Sequence, residues 1–309
     1  MRAYVGITDL EWFRLLASRA QLDDVNFWQP GGQKVFRSLE PGELFLFKLH
    51  APHRAIVGGG FFAHATLLPV SLAWDAFREA NGALSLDEMR SRIEKYRKAP
   101  ARREEDYTIG CILLEQPFFL PESAWIPEQR DWHPNIVQGK GYDLQEEPGR
   151  SLWRRVHEAV SVRGTLAEVL ADSGSASRYG EPVLVRPRLG QGTFRILVTD
   201  AYQRRCAVTN ERVLPVLEAA HIRPYARGGE NRVDNGLLLR SDLHTLLDRG
   251  YLTVTPAHRL EVSHRIREDF DNGRHYSGLH GQRVRVPEEP HHRPLDDVLR
   301  WHNEEVFLG

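Results

Sequence analysis

Cysteine is nearly absent. Cys111 and Cys206 are the only two in 309 residues and stand nearly a hundred positions apart. This excludes a four-cysteine zinc clip and fits a reducing compartment. Cys206, in RRCAVTN, has no CxxC partner and is expected to be a small buried apolar residue. No run of eighteen apolar residues occurs, no secretory leader pattern opens the chain, and internal repeats are absent. The expectation is a cytoplasmic protein with no membrane partner. Net charge is lacking too: 41 basic against 42 acidic residues give −1, so the whole-chain charge does not announce a nucleic-acid binder. The distribution says more. From Arg186 to Arg240 there are ten arginines, no lysine and five acids, and the guanidinium fork suits phosphate oxygens.

What is present is enough apolar residue, 41%, for two or three ordinary cores. MRAYVGIT alternates as a strand, and a helix capped by Asp9 or Thr8 follows it. The Gly and Pro of DDVNFWQPGGQKVF predict a break around an exposed Phe27–Trp28 pair. GELFLFKL and AIVGGGFF read as two strands, with Gly58–Gly60 permitting a bulge or a close backbone approach. Helices are predicted over 71–80 and over 85–98, the second with Ser85 and Glu88 in a capping box. A strand over 107–120 follows, and then a loop-like segment carrying Trp125, Trp132 and His133. RSLWRRVHEAVSVR has helical spacing at Leu152, Val156 and Val160, and ADSGSASRYGEP reads as a flexible break. FRILVTDAY reads as a helix leading to Arg204 and Arg205. Beyond residue 250, GYLTVT, HRLEVSHRI and QRVRVP read as strands and PLDDVLRWHNEEVF as a closing helix. The His291–His292 pair, beside Glu288 and Glu289 in a Pro-rich loop, reads as a solvated turn rather than a metal site.

The chemistry is concentrated in 204–255. LPVLEAAH is a short strand whose alternation is expected to put Glu218 and His221 near each other at its end. An Arg/Gly/Asn-rich loop leads to Asn235, and SDLHTLLDRG begins a helix with Asp242 near its start and His244 and Asp248 four apart on one face. Taken singly, a strand histidine or a loop asparagine needs no functional explanation. Together, at this spacing and in this strand-loop-helix order, packing alone explains them poorly.

With its AHI, GG-x5-N-x-LLL and LH elements, this stretch resembles the HNH nuclease family, whose ββα-metal fold cuts nucleic-acid phosphodiesters. The resemblance implies His221 as general base, Asn235 as the residue that orients it and closes the loop, and His244 as a metal ligand. Many members carry Asp or His just before the base, where this chain has Ala220. Glu218 or Asp248 would then supply the missing oxygen. A divalent ion, Mg2+ or Mn2+, is implied as cofactor. Arg204, Arg205, Arg223 and Arg227 are candidates for contact with the DNA backbone.

The first 140 residues resemble, less specifically, the PUA-like superfamily of small barrels, which includes EVE, ASCH and SRA domains. That resemblance implies a pocket for a modified or flipped base, with Trp28, Trp125 and Trp132 as candidates to stack on it. The expected architecture is α+β. It comprises a PUA-like β-barrel with inserted helices over 1–140, a connector over 141–185 and an HNH domain over 186–309. The expected partner is double-stranded DNA carrying a modified (methylated) base, and cutting both strands suggests a homodimer. A nuclease without modification dependence, an RNA-directed role and a binding module with an inactive site are the alternatives.

Overall fold

The computed structural model describes residues 1–19, 22–97, 105–161 and 190–309. The break expected at ADSGSASRYGEP lies outside the described residues. The chain divides into two compact units, Met1–Pro187 and Arg188–Gly309. Both mix helix and strand, as the α+β expectation requires. No helix among the described residues is long and apolar enough to cross a membrane.

The first unit is built on a seven-stranded sheet. Its strands are β1 (Arg2–Thr8), β2 (Asp24–Gln29), β3 (Leu44–Leu49), β4 (Ala55–Pro69), β5 (Thr108–Phe119), β6 (Ile126–Pro127) and β7 (Gly139–Asp143). They run in the order β2-β5-β4-β3-β1-β7, with β6 paired to β4. Among the described residues β1 and β3 pair in parallel and the other pairings of this sheet are antiparallel. Among the described residues no pairing joins β2 to β7, so the strand path is open as paired.

The sequence LFLFKL is buried at every position because apolar layers cover both faces of β3. Phe45, Phe47 and Leu49 pack with Trp12, Phe13 and Leu16 of helix α1 (Leu10–Ala17). Leu44 and Leu46 face the other way, toward Leu152, Val156 and Val160 of α4 (Gly149–Ser161). The amphipathic helix read in the connector therefore belongs to the core of this unit. GKGYD, read as loop, pairs with β1 as β7.

Several local expectations hold. Asp9 accepts from the N–H of Trp12 at 2.7 Å. Helix α2 covers Val70–Phe77; Ser85 caps α3 (Leu86–Glu94), and Glu88 reaches back to the N–H of Leu84. The register of β4 shifts at Gly59/Phe61, as the glycine run allows. The predicted break at Phe27–Trp28 is corrected: both lie in β2, and Phe27 is buried among Trp12, Phe45 and Phe47. The Gly and Pro that suggested the break begin only at Pro30, after the strand has ended.

The second unit opens with α5 (Gln191–Ala201), on which Phe194 and Val198 are buried. An antiparallel hairpin of β8 (Leu217–His221) and β9 (Gly236–Arg240) follows and runs directly into α6 (Ser241–Asp248). Strands β10 (Leu252–Val254) and β11 (Leu260–Val262) pair antiparallel. Two short helices, α7 (Arg265–Phe270) and α8 (Arg274–Ser277), precede α9 (Asp296–Glu305). Cys206 is fully buried in this core, as expected of a small apolar side chain. QRVRVP forms no strand; Arg283 makes a single bridge to Arg259.

The closing helix α9 is anchored by Leu299 and by His302, which is 3% exposed. His302 Nε2 lies 3.2 Å from the carbonyl of Leu247, and Nδ1 lies 2.8 Å from the hydroxyl of Thr253. Burial pushes its pKa down to about 4 from 6.5. A histidine that binds its proton less readily folded than unfolded stabilises the fold above the unfolded pKa. That stability is lost as pH falls from 6.5 toward 4. Urea unfolding of the parent chain is therefore expected to lose about 2 kcal/mol between pH 7 and pH 5 from this group. The loss should shrink in His302→Asn. An equal pH dependence in parent and variant refutes the assignment.

Candidate active site

The hairpin and helix α6 bring Glu218, His221, His244 and Asp248 into one neighbourhood of the second unit. His221 ends β8 and stands opposite Gly236 in the register. A Cβ at position 236 would lie 2.6 Å from Val198 and 3.1 Å from Phe194. Glycine is required there because α5 packs directly on the hairpin, and this approach lays Phe194 on the imidazole. The two rings stack with centroids 3.9 Å apart and planes 11° from parallel. His221 Nε2 lies 2.8 Å from Asn231 Oδ1.

Burial is the largest influence on His221 and lowers its pKa. The Asn231 bond opposes this; His244 lowers the pKa further and Asp248 raises it. The ring is thus held toward its neutral, proton-accepting form.

Asn235 is buried and makes three side-chain bonds. It accepts from the N–H of Arg223 at 3.0 Å and donates to the carbonyls of Arg223 and Glu230, both at 2.9 Å. Its own carbonyl accepts from the N–H of Ile222. These bonds close the loop between the two strands, and Gly228, at φ +79°, turns it. The side chain on the imidazole is Asn231, not Asn235. Asn235 acts one step away, on the loop that carries Asn231.

His244, one turn into α6, has a carboxylate at each ring nitrogen. Nδ1 lies 2.6 Å from Glu218 Oε2, and Nε2 lies 3.4 Å from Asp248 Oδ2. The shorter contact is a hydrogen bond from Nδ1–H, which leaves the lone pair on Nε2, on the Asp248 side. Glu218 therefore faces His244, whereas His221 faces Asn231 and Phe194. The expected closeness of Glu218 and His221 is corrected accordingly, because strand residues three apart point to opposite faces.

Among the described residues no three His, Cys, Asp or Glu side chains form a metal-ligating group. The donors at hand are one imidazole nitrogen and one carboxylate. They fit an ion that takes few protein ligands and keeps several waters, as Mg2+ does, rather than a closed zinc site.

The four arginines differ in their surroundings. Arg204 pairs with Asp200 at 3.2 Å. Arg205 donates to Asn210 at 3.4 Å. Arg223 donates to the carbonyl of Arg227 at 2.8 Å and lies over the Trp301 ring at 5.2 Å. Arg227 is exposed.

In the first unit the three tryptophans make different polar contacts. The Trp28 indole donates to the carbonyl of Asn81, and the Trp125 indole donates to that of Leu120. Trp132 lies under the Lys48 ammonium at 4.6 Å, and that ammonium pairs with Glu128 at 3.0 Å. The surface depression lined by Arg2, Ala3, Ser38, Gly141, Tyr142 and Asp143 includes none of them.

Sequence reasoning missed two contacts of His221. Asn231 was legible only as part of a polar loop, and Phe194 only as an apolar residue on a helix. It also missed a buried polar layer in the first unit, where Asn26 donates to Asn81 at 2.8 Å. Glu115, opposite Asp24, belongs to the same layer; burial, with Asp24 second, pushes its pKa up to about 8.

Residues 206–255 match the family model for HNH endonucleases. Among solved structures the chain is similar to an ASCH protein from Zymomonas mobilis, with 11% identity and a TM-score of 0.34 over 49% of this chain and 94% of that one. It is also similar to the modification-dependent TagI restriction endonuclease, with 16% identity and a TM-score of 0.31 over 97% of this chain and 81% of that one. No curated protein matches. The matched segment spans β8, β9 and α6 and contains His221, Asn235 and His244. Residues 206–255 are an HNH endonuclease module, the part of this chain that hydrolyses phosphodiester bonds.

Proposed function

We propose that the protein is a metal-dependent DNA endonuclease of the modification-dependent restriction type. In this reading the second unit, Arg188–Gly309, cuts, and the first unit, with α4 and most of β7 beyond residue 140 as part of it, selects the target through a PUA-like barrel. The observation that carries the nuclease part is the convergence of His221 and His244 on one hairpin-helix unit inside the matched segment. His221 takes a proton from the attacking water. His244 Nε2 and Asp248 would hold a divalent ion, Mg2+ or Mn2+, with Glu218 orienting the His244 ring. Such an ion, when bound, polarises the phosphate and stabilises the leaving oxygen. Arg204, Arg205, Arg223 and Arg227 would lie along the backbone phosphates.

Target selection rests on the sequence resemblance of the first unit to modified-base readers. The partly exposed rings of Trp28, Trp125 and Trp132 are surfaces on which a base could stack. One HNH site cuts one strand at a time, so a homodimer on DNA is the simplest route to double-strand cleavage. A cytoplasmic setting, where foreign DNA is met, suits such an enzyme.

The test is cleavage of otherwise identical duplexes carrying 5-methylcytosine, 5-hydroxymethylcytosine, glucosylated cytosine, N4-methylcytosine or N6-methyladenine. One class is expected to be cut at least about tenfold faster than unmodified DNA, the ratio that 1.4 kcal/mol of selective binding gives. Binding by full-length His221→Ala should show the same preference and weaken in Trp28→Ala or Trp132→Ala. A fragment ending at residue 140 suits this assay poorly, because it lacks α4 and most of β7. Equal cleavage of all duplexes removes the reader function and leaves a nuclease without modification dependence. Preferential cutting of RNA points to the RNA-directed alternative.

A further inference from the structure

The imidazole of His221 is constrained in two independent ways. One face lies on Phe194, from a helix outside the matched segment. Nε2 lies 2.8 Å from Asn231 Oδ1, and among the described residues no hydrogen bond reaches Nδ1. An amide oxygen only accepts, so this contact needs a proton on Nε2. A neutral ring protonated at Nε2 keeps its lone pair on Nδ1. Were the Asn231 amide turned over, its NH2 would donate to Nε2 and occupy the lone pair there.

Asn231 is itself well held. Its neighbour Glu230 offers its carbonyl to the buried Asn235 amide. Arg232 pairs with the buried Asp234 carboxylate at 2.5 Å, and the Asp234 carbonyl accepts from the N–H of Leu295. These bonds tie the loop on both sides of Asn231.

We propose that Asn231 is the positioning residue of His221: its amide oxygen selects the Nε2–H tautomer and leaves Nδ1 as the proton acceptor, while Phe194 fixes the ring plane. The catalytic consequence rests on the nuclease reading; the tautomer itself does not. In the step this serves, an O–H bond of water breaks and its proton goes to Nδ1. The water oxygen bonds to phosphorus, the ester P–O bond breaks, and the leaving oxygen takes a proton from solvent. The imidazolium so formed keeps its Nε2–H bond to Asn231, so the ring does not turn during the transfer.

The test uses the full-length chain with 15N-labelled histidine, free of metal, at a pH where the ring is neutral. Long-range 1H–15N spectra distinguish the two tautomers by their nitrogen shifts, and His221→Ala identifies which signals belong to residue 221. The parent is expected to show the Nε2–H form. Asn231→Ala should give a mixture, and Asn231→Asp, which still presents an oxygen, should restore the Nε2–H form. In cleavage assays Asn231→Ala should lower kcat about ten- to a hundredfold with KM nearly unchanged, the scale of loss when a histidine-orienting partner is removed. Asn231→Asp should recover part of it. An Nδ1–H tautomer in the parent, or a pure Nε2–H tautomer surviving in a folded Asn231→Ala, overturns the proposal. A parent with the expected tautomer that cleaves no DNA leaves the role of Asn231 standing and removes the nuclease reading instead.

Discussion

His221→Ala is expected to lower the cleavage rate about a thousandfold, within the range general-base removal produces, while DNA affinity changes by no more than about twofold. The two effects separate because the base acts on water and adds little to ground-state binding. Phosphate contacts dominate such affinities, and the residues proposed for them are arginines rather than His221. The same residue sets the sign of the pH dependence. Only the neutral imidazole accepts a proton, so activity is present above its pKa and lost as pH falls through it. Burial lowers that pKa from the ordinary 6.5, so the acidic limb of kcat against pH should have its midpoint below 6.5. Comparable cleavage by His221→Ala and the parent on the same duplex would remove the assignment. An acidic limb centred above 6.5 would contradict the burial argument.

The local order of the second unit was more legible than the contacts that support it. His221, His244 and the hairpin-helix order were readable because a short strand, a Gly-Gly loop and a helix start leave strong local marks in sequence. Asn231 and Phe194 were not. The GG-x5-N spacing marks Asn235, which closes the loop on the Arg223 backbone, but leaves no mark on Asn231, the asparagine that meets the imidazole. In the first unit the strand runs were plain because LFLFKL and GCILLEQPFF are covered on both faces. The strand at Asp24–Gln29 was missed because it alternates between an apolar face, with Phe27, and a buried polar one, with Asn26 hydrogen-bonded to Asn81. A polar residue inside a strand reads as an exposed position unless its partner, here 55 residues away, is known. The short β7 was hidden by its glycines, which suit an edge strand beside β1 as well as they suit a loop.

His244→Ala and Asp248→Asn should both abolish cleavage at low divalent ion concentration, and the contrast between Asp248→Asn and Glu218→Gln decides where the oxygen ligand lies. A ring nitrogen carries either a proton or a lone pair for an ion. Glu218, at 2.6 Å from Nδ1, occupies the protonated side; Asp248, at 3.4 Å from Nε2, stands on the open side. Removing the Asp248 charge takes away a ligand and should raise the Mg2+ concentration for half-maximal rate by about a hundredfold or more. Replacing Glu218 by the neutral amide leaves an oxygen that still accepts from Nδ1–H, so the rise should be nearer tenfold, the lower end for a residue that orients a ligand. Calorimetric titration of Mn2+ into the DNA-free protein gives the same ordering without relying on turnover. A larger loss in Glu218→Gln than in Asp248→Asn would place the ion at Nδ1 on the strand side. The Glu218–His244 hydrogen bond would then have to break before the ion could bind.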